Sequence, residues 1–163
     1  MARRQGVGYN AHMNYWLMKS EPESYSIEDL KRDKSTVWTS IRNFRARNIM
    51  RDEMKPGDQF LFYHSSTEPA GVVGIGEVVD NSLPDQTALD KKDDYHDPKA
   101  TKEKNPWVAP KVKFLRKLKR IVTLEEIKKD KRFASMALVK IPRLSVQPVS
   151  KEHFEAILKM SEK

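Results

Sequence analysis

The residue types best suited to chemistry lie between Thr36 and Arg51. Trp38 is followed there by Thr39 and Ser40, then by Arg42, Asn43, Arg45, Arg47, Asn48 and Arg51 before the first acid at Asp52. A flat indole beside small hydroxyls suits a planar heterocycle, which needs stacking on its face and hydrogen bonds at its edge. Guanidinium groups suit phosphate. The combination predicts a pocket for a base, or a base-like ring, carried by a nucleic acid. A tryptophan in such a setting is by itself more often a core anchor than a ligand platform, so its companions decide. Lys19-Ser20-Glu21-Pro22 and Tyr63-His64-Ser65 each close an apolar run. If they converge on Trp38, they make a concave site with a few placed polar groups.

Other chemistries are weaker. His64-Ser65 invites nucleophilic catalysis, but no Gly-x-Ser-x-Gly elbow or orienting acid accompanies it, and a strand-end histidine bonded to ligand or main chain is the better reading. No catalytic residue is assigned. Asp93-Asp-Tyr-His-Asp97 carries oxygen and imidazole ligands without a metal-ligand spacing. Gly71-Val-Val-Gly-Ile-Gly76 resembles part of a dinucleotide fingerprint inside a strand, with no helix after it; its glycines are expected to admit another backbone or a ligand. Cysteine is absent, which excludes disulfides, thiolate zinc sites and thiol nucleophiles. No metal or cofactor is expected.

Charge is uneven. The chain carries +8, and the stretch from Lys99 to Arg120 sets nine basic residues against Glu103 alone, a surplus equal to that whole net charge. A localised basic band is what a phosphate backbone contacts. Arg45, Arg47, Lys111, Lys113, Lys117 and Lys119 are the expected phosphate ligands. Nucleic acid, DNA or RNA, is therefore the expected partner. No apolar run approaches the roughly twenty residues of a membrane span, and the basic amino terminus lacks a signal-type apolar segment. A soluble monomer in the bacterial cytoplasm or the eukaryotic nucleus is expected.

The elements that must position these groups follow from periodicity. Residues 1–12 lack any and read as a tail or expression remnant, leaving 13–163 as a single domain. Asn14 to Lys19 alternates as a strand, Ser26-Ile-Glu-Asp29 is a capping box opening a helix to about Arg32, and Ala46, Ile49, Met50 and Met54 line one face of a helix from about Asn43 to Glu53. Lys55-Pro-Gly-Asp58 is a turn, after which Gln59 to Ser65 and Gly71 to Val79 form a hairpin. Asp80 to Pro110 is a long irregular excursion, of a length usually functional or mobile. Lys111 to Arg120 is a half-buried strand with a basic outer face, although Arg116 and Arg120 fall on its apolar parity. Thr123-Leu-Glu-Glu126 caps a further helix, Met136 to Val149 reads as one or two strands broken at Pro142, and Ser150 caps a terminal helix burying Phe154, Ile157 and Leu158. Without βαβ alternation, an α+β fold follows, with a mainly antiparallel, barrel-like sheet.

With those segments in place, the chain resembles the EVE domain family. The matching motifs are Tyr15 to Pro22, Trp38 with Ile41-Arg-Asn43, Ala46-Arg-Asn48, Gly57 to Ser65, Gly71 to Val78, Tyr95 to Pro98 and Arg143 to Pro148. They cover nearly everything after Met13. The resemblance implies a PUA-like fold, a small curved β-barrel flanked by short helices, related to ASCH domains and to the YTH readers of methylated adenine. It implies a non-enzymatic reader of modified bases in DNA or RNA. Trp38 would stack on the base, with Trp16, Lys19, Ser20, Thr39, Ser40, Ile41, Arg42, Asn43, Tyr63, His64 and Ser65 around it. Relatives often carry an acid and a glycine where this chain has Thr39-Ser40. The rival readings are an enzyme acting on a nucleotide with His64 as acid or base, and a small-molecule sensor or adaptor.

Overall fold

A computed structural model describes residues 13–163; the stretch read as a tail lies outside the described residues. The strands are β1 (Tyr15–Ser20), β2 (Ser35–Val37), β3 (Gln59–His64), β4 (Gly71–Asp80), β5 (Lys111–Thr123) and β6 (Val146–Val149). They form one sheet in the order β2-β5-β4-β3-β1-β6. Every neighbouring pair is antiparallel except β1 with β3, whose parallel alignment requires the long crossover that α1 (Ile27–Asp33), β2 and α2 (Phe44–Asn48) supply. The architecture is α+β, as expected, but the sheet is not closed into a barrel. Its two edges, β2 with three residues and β6 with four, do not pair with each other.

Alternation along the central strands divides the interior into two layers. Trp16 and Met18 of β1 and Phe60 and Phe62 of β3 pack on one face with Ile27 and Leu30 of α1 and with Ala46 of α2. Leu17, Leu61 and Tyr63 pack on the other, under α3 (Leu124–Lys129), α4 (Ala137–Lys140) and α5 (Lys151–Ser161). Gly71 of β4 admits the neighbouring backbone, as expected, where an added methyl group would lie 2.4 Å from the Val122 carbonyl, whereas Gly74 and Gly76 serve the first layer. A methyl group on Gly76 would lie 2.3 Å from the Phe60 ring, and one on Gly74 would lie 2.4 Å from Ile27. Close packing of side chains, and not approach of a phosphate, explains these two positions.

Capping follows the sequence. Ser26 with Asp29 and Thr123 with Glu126 form complete capping boxes, and Asn43 and Ser150 accept the amides of Ala46 and His153. Arg120 adds two hydrogen bonds to Glu126, the main reason its carboxyl is held down at about 2.

Three expectations change. The helix from Asn43 to Glu53 is α-helical only to Asn48 and then widens into a π turn, Ile49–Glu53, closed by the Met54 amide on the Ile49 carbonyl at 2.9 Å. Asn81 braces the widened end, its side-chain amide donating to the Met54 carbonyl at 2.6 Å. The run after Met136 begins as α4 and only then becomes β6: the two-residue spacing of buried Met136 and Leu138 reads as a strand, but Met136 is the N-cap of the turn and lies outside it. In β5 the register with β4 slips between Ile75 and Gly76, where Leu115 is extra. Val112 and Phe114 therefore pack in the first layer, while Leu118 and Val122 pack in the second. Arg116, paired with Ile75 beyond the bulge, stays on the parity of Leu118 and is exposed.

Candidate base-binding cavity

At the carboxyl ends of β1 and β2 lies a cavity of about 720 Å³, within the size range of ligand pockets, roughly 300–1,000 Å³. Lys19, Ser20, Trp38, Thr39, Ser40, Ile41, Arg42, Asn43 and Ser65 line it, together with Tyr25, Tyr95 and Arg143.

Trp38 holds its place through packing. Its ring meets Phe60 and Phe62 edge-on, with centroids 5.8 and 5.4 Å away, and its amide donates to the Pro110 carbonyl at 2.8 Å. Only 6% of the residue is exposed, and Trp38 is among the residues that line the cavity. It is a core anchor that also contributes to the cavity lining.

The next wall is held by a residue from the irregular excursion. Asp85 is fully buried, and its carboxylate accepts from the Ser40 amide at 2.7 Å, the Arg42 guanidinium at 2.9 Å, and the Thr87 amide and hydroxyl at 2.9 and 2.6 Å. Burial alone would raise this carboxyl, but the bonds from Thr87, Ser40 and Arg42 outweigh it and hold the group below the usual carboxylate range. Arg42 also donates to the Tyr95 carbonyl and the Thr87 hydroxyl, both at 2.9 Å. Its planar fork thus ties the excursion to the cavity.

Ser40 adopts φ 74°, a left-handed conformation that costs a side-chain-bearing residue roughly 1–2 kcal/mol. Glycine accepts it freely. Ser40→Gly is expected to stabilise the protein by about 0.5–1 kcal/mol, the relief of strain exceeding glycine's greater unfolded-state freedom. A higher urea midpoint at unchanged slope would register it.

The polar edge comes from β1 and the turn before β6. Ser20 donates its hydroxyl to the Tyr25 carbonyl at 2.6 Å, and its own carbonyl accepts the Ser65 amide at 3.0 Å. The Lys19 ammonium reaches the Pro142 carbonyl and lies 5.6 Å from the Tyr63 ring centre; burial holds its pKa below the ordinary lysine value.

Trp16, Tyr63 and His64 do not line the cavity. Trp16 sits at the far end of β1, where its indole N–H donates at 2.9 Å to buried Asp58, which also accepts the Asn14 and Lys55 amides. Tyr63 belongs to the layer on the opposite face, as strand alternation requires. His64 is on the right face, but its Nε2 accepts the Ile27 amide at 3.1 Å where α1 begins. Burial, and secondarily the charge of Lys117, lower its pKa, which favours the neutral acceptor form. Its ring lies edge-on to Phe62, with centroids 5.6 Å apart.

The basic residues do not share one face. Lys113 pairs with Glu77 at 3.5 Å, Lys117 with Glu28, and Lys119 with Glu162 at 3.2 Å, acids from three separate elements. Arg47 packs over Phe44 and Trp107 and donates to the Pro106 carbonyl at 3.0 Å. Arg45 and Lys111 are exposed and, among the described residues, make no ion pair. Arg143, exposed at the cavity rim, is likewise without an ion pair among the described residues.

Sequence reasoning missed Tyr95 and Arg143, which line the cavity, and Asp85, which braces its wall from behind. Asp85-Gln-Thr87 carried a usable signal, an acid two residues before a threonine at a helix start. Arg143 carried none beyond following a proline.

A family model described as the EVE domain matches residues 14–160. Thymocyte nuclear protein 1 of Mus musculus is 39% identical over 91% of this chain and 74% of its own length, and the Homo sapiens protein is 38% identical over 92% and 75%. Among solved structures, a hypothetical protein from Leishmania major superposes with a TM-score of 0.90 at 49% identity, covering 93% of this chain and 96% of that one. Human THYN1 protein, crystallised in complex with 5-methylcytosine-containing DNA, superposes with a TM-score of 0.86 at 36% identity, covering 92% and 98%.

Proposed function

The chain belongs to the EVE domain family, and from that premise we propose that it is a non-catalytic DNA-binding module that takes a modified base, 5-methylcytosine foremost, into the cavity beside Trp38. The observation that carries the reading is the cavity itself: an indole fixed edge-on by two phenylalanines borders an opening of base-accommodating size, with hydroxyls, amides and a lysine around it. The likeness to human THYN1 protein, solved with DNA containing 5-methylcytosine, supports the choice of DNA and of that base. Val37 and Ile41, which also line the cavity, offer apolar surface to a methyl group. Trp38 stacks on the flipped ring, and Thr39, Ser40, Ser20 and Lys19 meet its edge.

Phosphates fall to exposed Arg143 at the cavity rim and to exposed Arg45 and Lys111, which make no ion pair among the described residues. A nuclear location in a eukaryotic cell accords with the relatives' name. The reading leaves no acid or base role for His64, whose free ring nitrogen is already engaged at the start of α1.

Burying one methyl group is worth about 0.8 kcal/mol, roughly a four-fold preference over unmodified cytosine. The test is a binding screen of oligonucleotides carrying a panel of base modifications at two salt concentrations. Absolute affinity should fall as salt rises, through release of counterions. The ratio of modified to unmodified should stay constant. A protein that binds every modified and unmodified base alike would not be a reader.

A further inference from the structure

Beside the cavity mouth, aromatic rings and guanidinium groups alternate. Arg42 lies 6.0 Å from the centre of the Tyr95 ring and 5.2 Å from that of Trp107, and Arg47 lies 5.9 Å from Trp107 and 4.9 Å from Phe44. Phe44 in turn packs on Trp107 with centroids 4.8 Å apart and planes tilted by 31°. Trp107 is sealed beneath, its indole N–H donating to Asp97 at 2.7 Å. Phe44 is the outer end of this stack and is 59% exposed. It directly follows Asn43, which lines the cavity and caps α2.

A lone exposed apolar side chain is ordinary. Phe44 differs in three respects. It is held from below by a tryptophan and flanked by an arginine, so its orientation is set before any partner arrives and little freedom remains to be lost on contact. Arg47 lies over its ring and exposed Arg45 follows it, neither in an ion pair among the described residues, whereas Arg42 is neutralised by Asp85. It also stands one residue from the cavity. A base taken into that cavity leaves its strand neighbour unstacked on one face, and an aromatic ring set among phosphate-binding charges is the surface such a base needs.

We propose that Phe44 is a second stacking position, which receives the base adjacent, on the same strand, to the one held beside Trp38. The inference rests on the reading under Proposed function and adds a role that reading does not require. Trp38 selects which base enters. Phe44 holds the strand from which it came and contributes affinity without selectivity, because every base has a face to stack.

The test uses the full chain and oligonucleotides carrying the modified base with 2-aminopurine on its 5′ or its 3′ side. Binding should quench the fluorophore on one of the two sides. Phe44→Ala should abolish that quenching and weaken affinity about ten-fold, while leaving the modified-to-unmodified ratio unchanged. Phe44→Trp should restore both. Phe44→Leu, which keeps apolar bulk against Trp107, should behave like the alanine variant. With an abasic nucleotide at the flank, the wild type and Phe44→Ala should bind equally. Equal quenching and affinity in Phe44→Ala would overturn the proposal, and so would an affinity loss that persists undiminished with the abasic flank, because the ring would then only support α2. If the wild type shows no preference among modified bases, the cavity reading fails, and the comparison of quenching between wild type and Phe44→Ala still decides the stacking role.

Discussion

Trp38→Ala will erase the preference for the modified base and lower stability by about 3–5 kcal/mol, the usual cost of truncating a large buried aromatic. Both effects have one origin. The ring is 6% exposed and spends most of its surface against Phe60 and Phe62, so truncation leaves a void in the first core layer. The same truncation removes the wall on which a base would stack, a contact worth about 1–3 kcal/mol. Without that seat no base is held in the cavity, and the ratio of modified to unmodified affinity goes to one. Because domains of this size have only about 5–15 kcal/mol in hand, the alanine variant needs a companion. Trp38→Phe keeps an aromatic ring against the two phenylalanines and is expected to cost about 1–3 kcal/mol. It should remain folded, as judged by thermal melting, and lose most of the preference. A folded Trp38 variant with its base preference intact would remove the indole from recognition.

Asp85→Ala has the second large effect, at a residue that touches no expected ligand. Its carboxylate holds the Ser40 amide, the Arg42 guanidinium and both polar groups of Thr87. Removing one partner of a buried ion pair typically costs 3–5 kcal/mol, because the remaining charge is left uncompensated. The loss should exceed that of Asp85→Asn, which retains the shape and part of the hydrogen bonding. The Asp85→Ala cavity wall at Ser40 and Arg42 loses its anchor, so modified-base binding should weaken as well. The pH dependence has a definite sign. The folded-state carboxyl lies below its unfolded value of about 3.9. Its stabilisation is therefore fully present above about pH 4 and disappears as the pH falls through the folded-state value. Urea melts at pH 7 and in strong acid should show wild type and Asp85→Asn far apart in the first condition and converging in the second. A constant gap across that range would mean that the charge of Asp85 is not what holds the wall.

Much of the scaffold was legible because its signals are local. The capping boxes at Ser26 and Thr123, the apolar face through Ala46, Ile49, Met50 and Met54, and the Pro-Gly turn before β3 each depend on residues a few positions apart. Errors arose where a local pattern fits two structures. The two-residue spacing of Met136 and Leu138 reads as a strand, yet Met136 only caps the helical turn that holds Leu138, and the alternation of β5 reads as one continuous face until Leu115 bulges out and reverses it. The barrel expectation failed at the edges, because whether β2 meets β6 depends on strand lengths and curvature that no single segment encodes.

The sequence by itself determined the kinds of groups available: an indole with neighbouring hydroxyls, a surplus of arginine and lysine, no thiols, and strand ends rich in polar residues. It also determined the motifs that mark the family. Only the tertiary structure decided which of those groups meet. Strand alternation turned Tyr63 away from Trp38, the Ile27 amide claimed the free nitrogen of His64, and Asp58 drew Trp16 to the other end of β1. The chain's long irregular excursion, whose partners cannot be read along the chain, returned to place Asp85 behind the cavity wall and Tyr95 in its lining. The physical reason is one of range. Caps, turns and periodicity act within a few residues and can be read along the chain, whereas a binding cavity is assembled from contacts across forty or more positions, whose partners are chosen by packing.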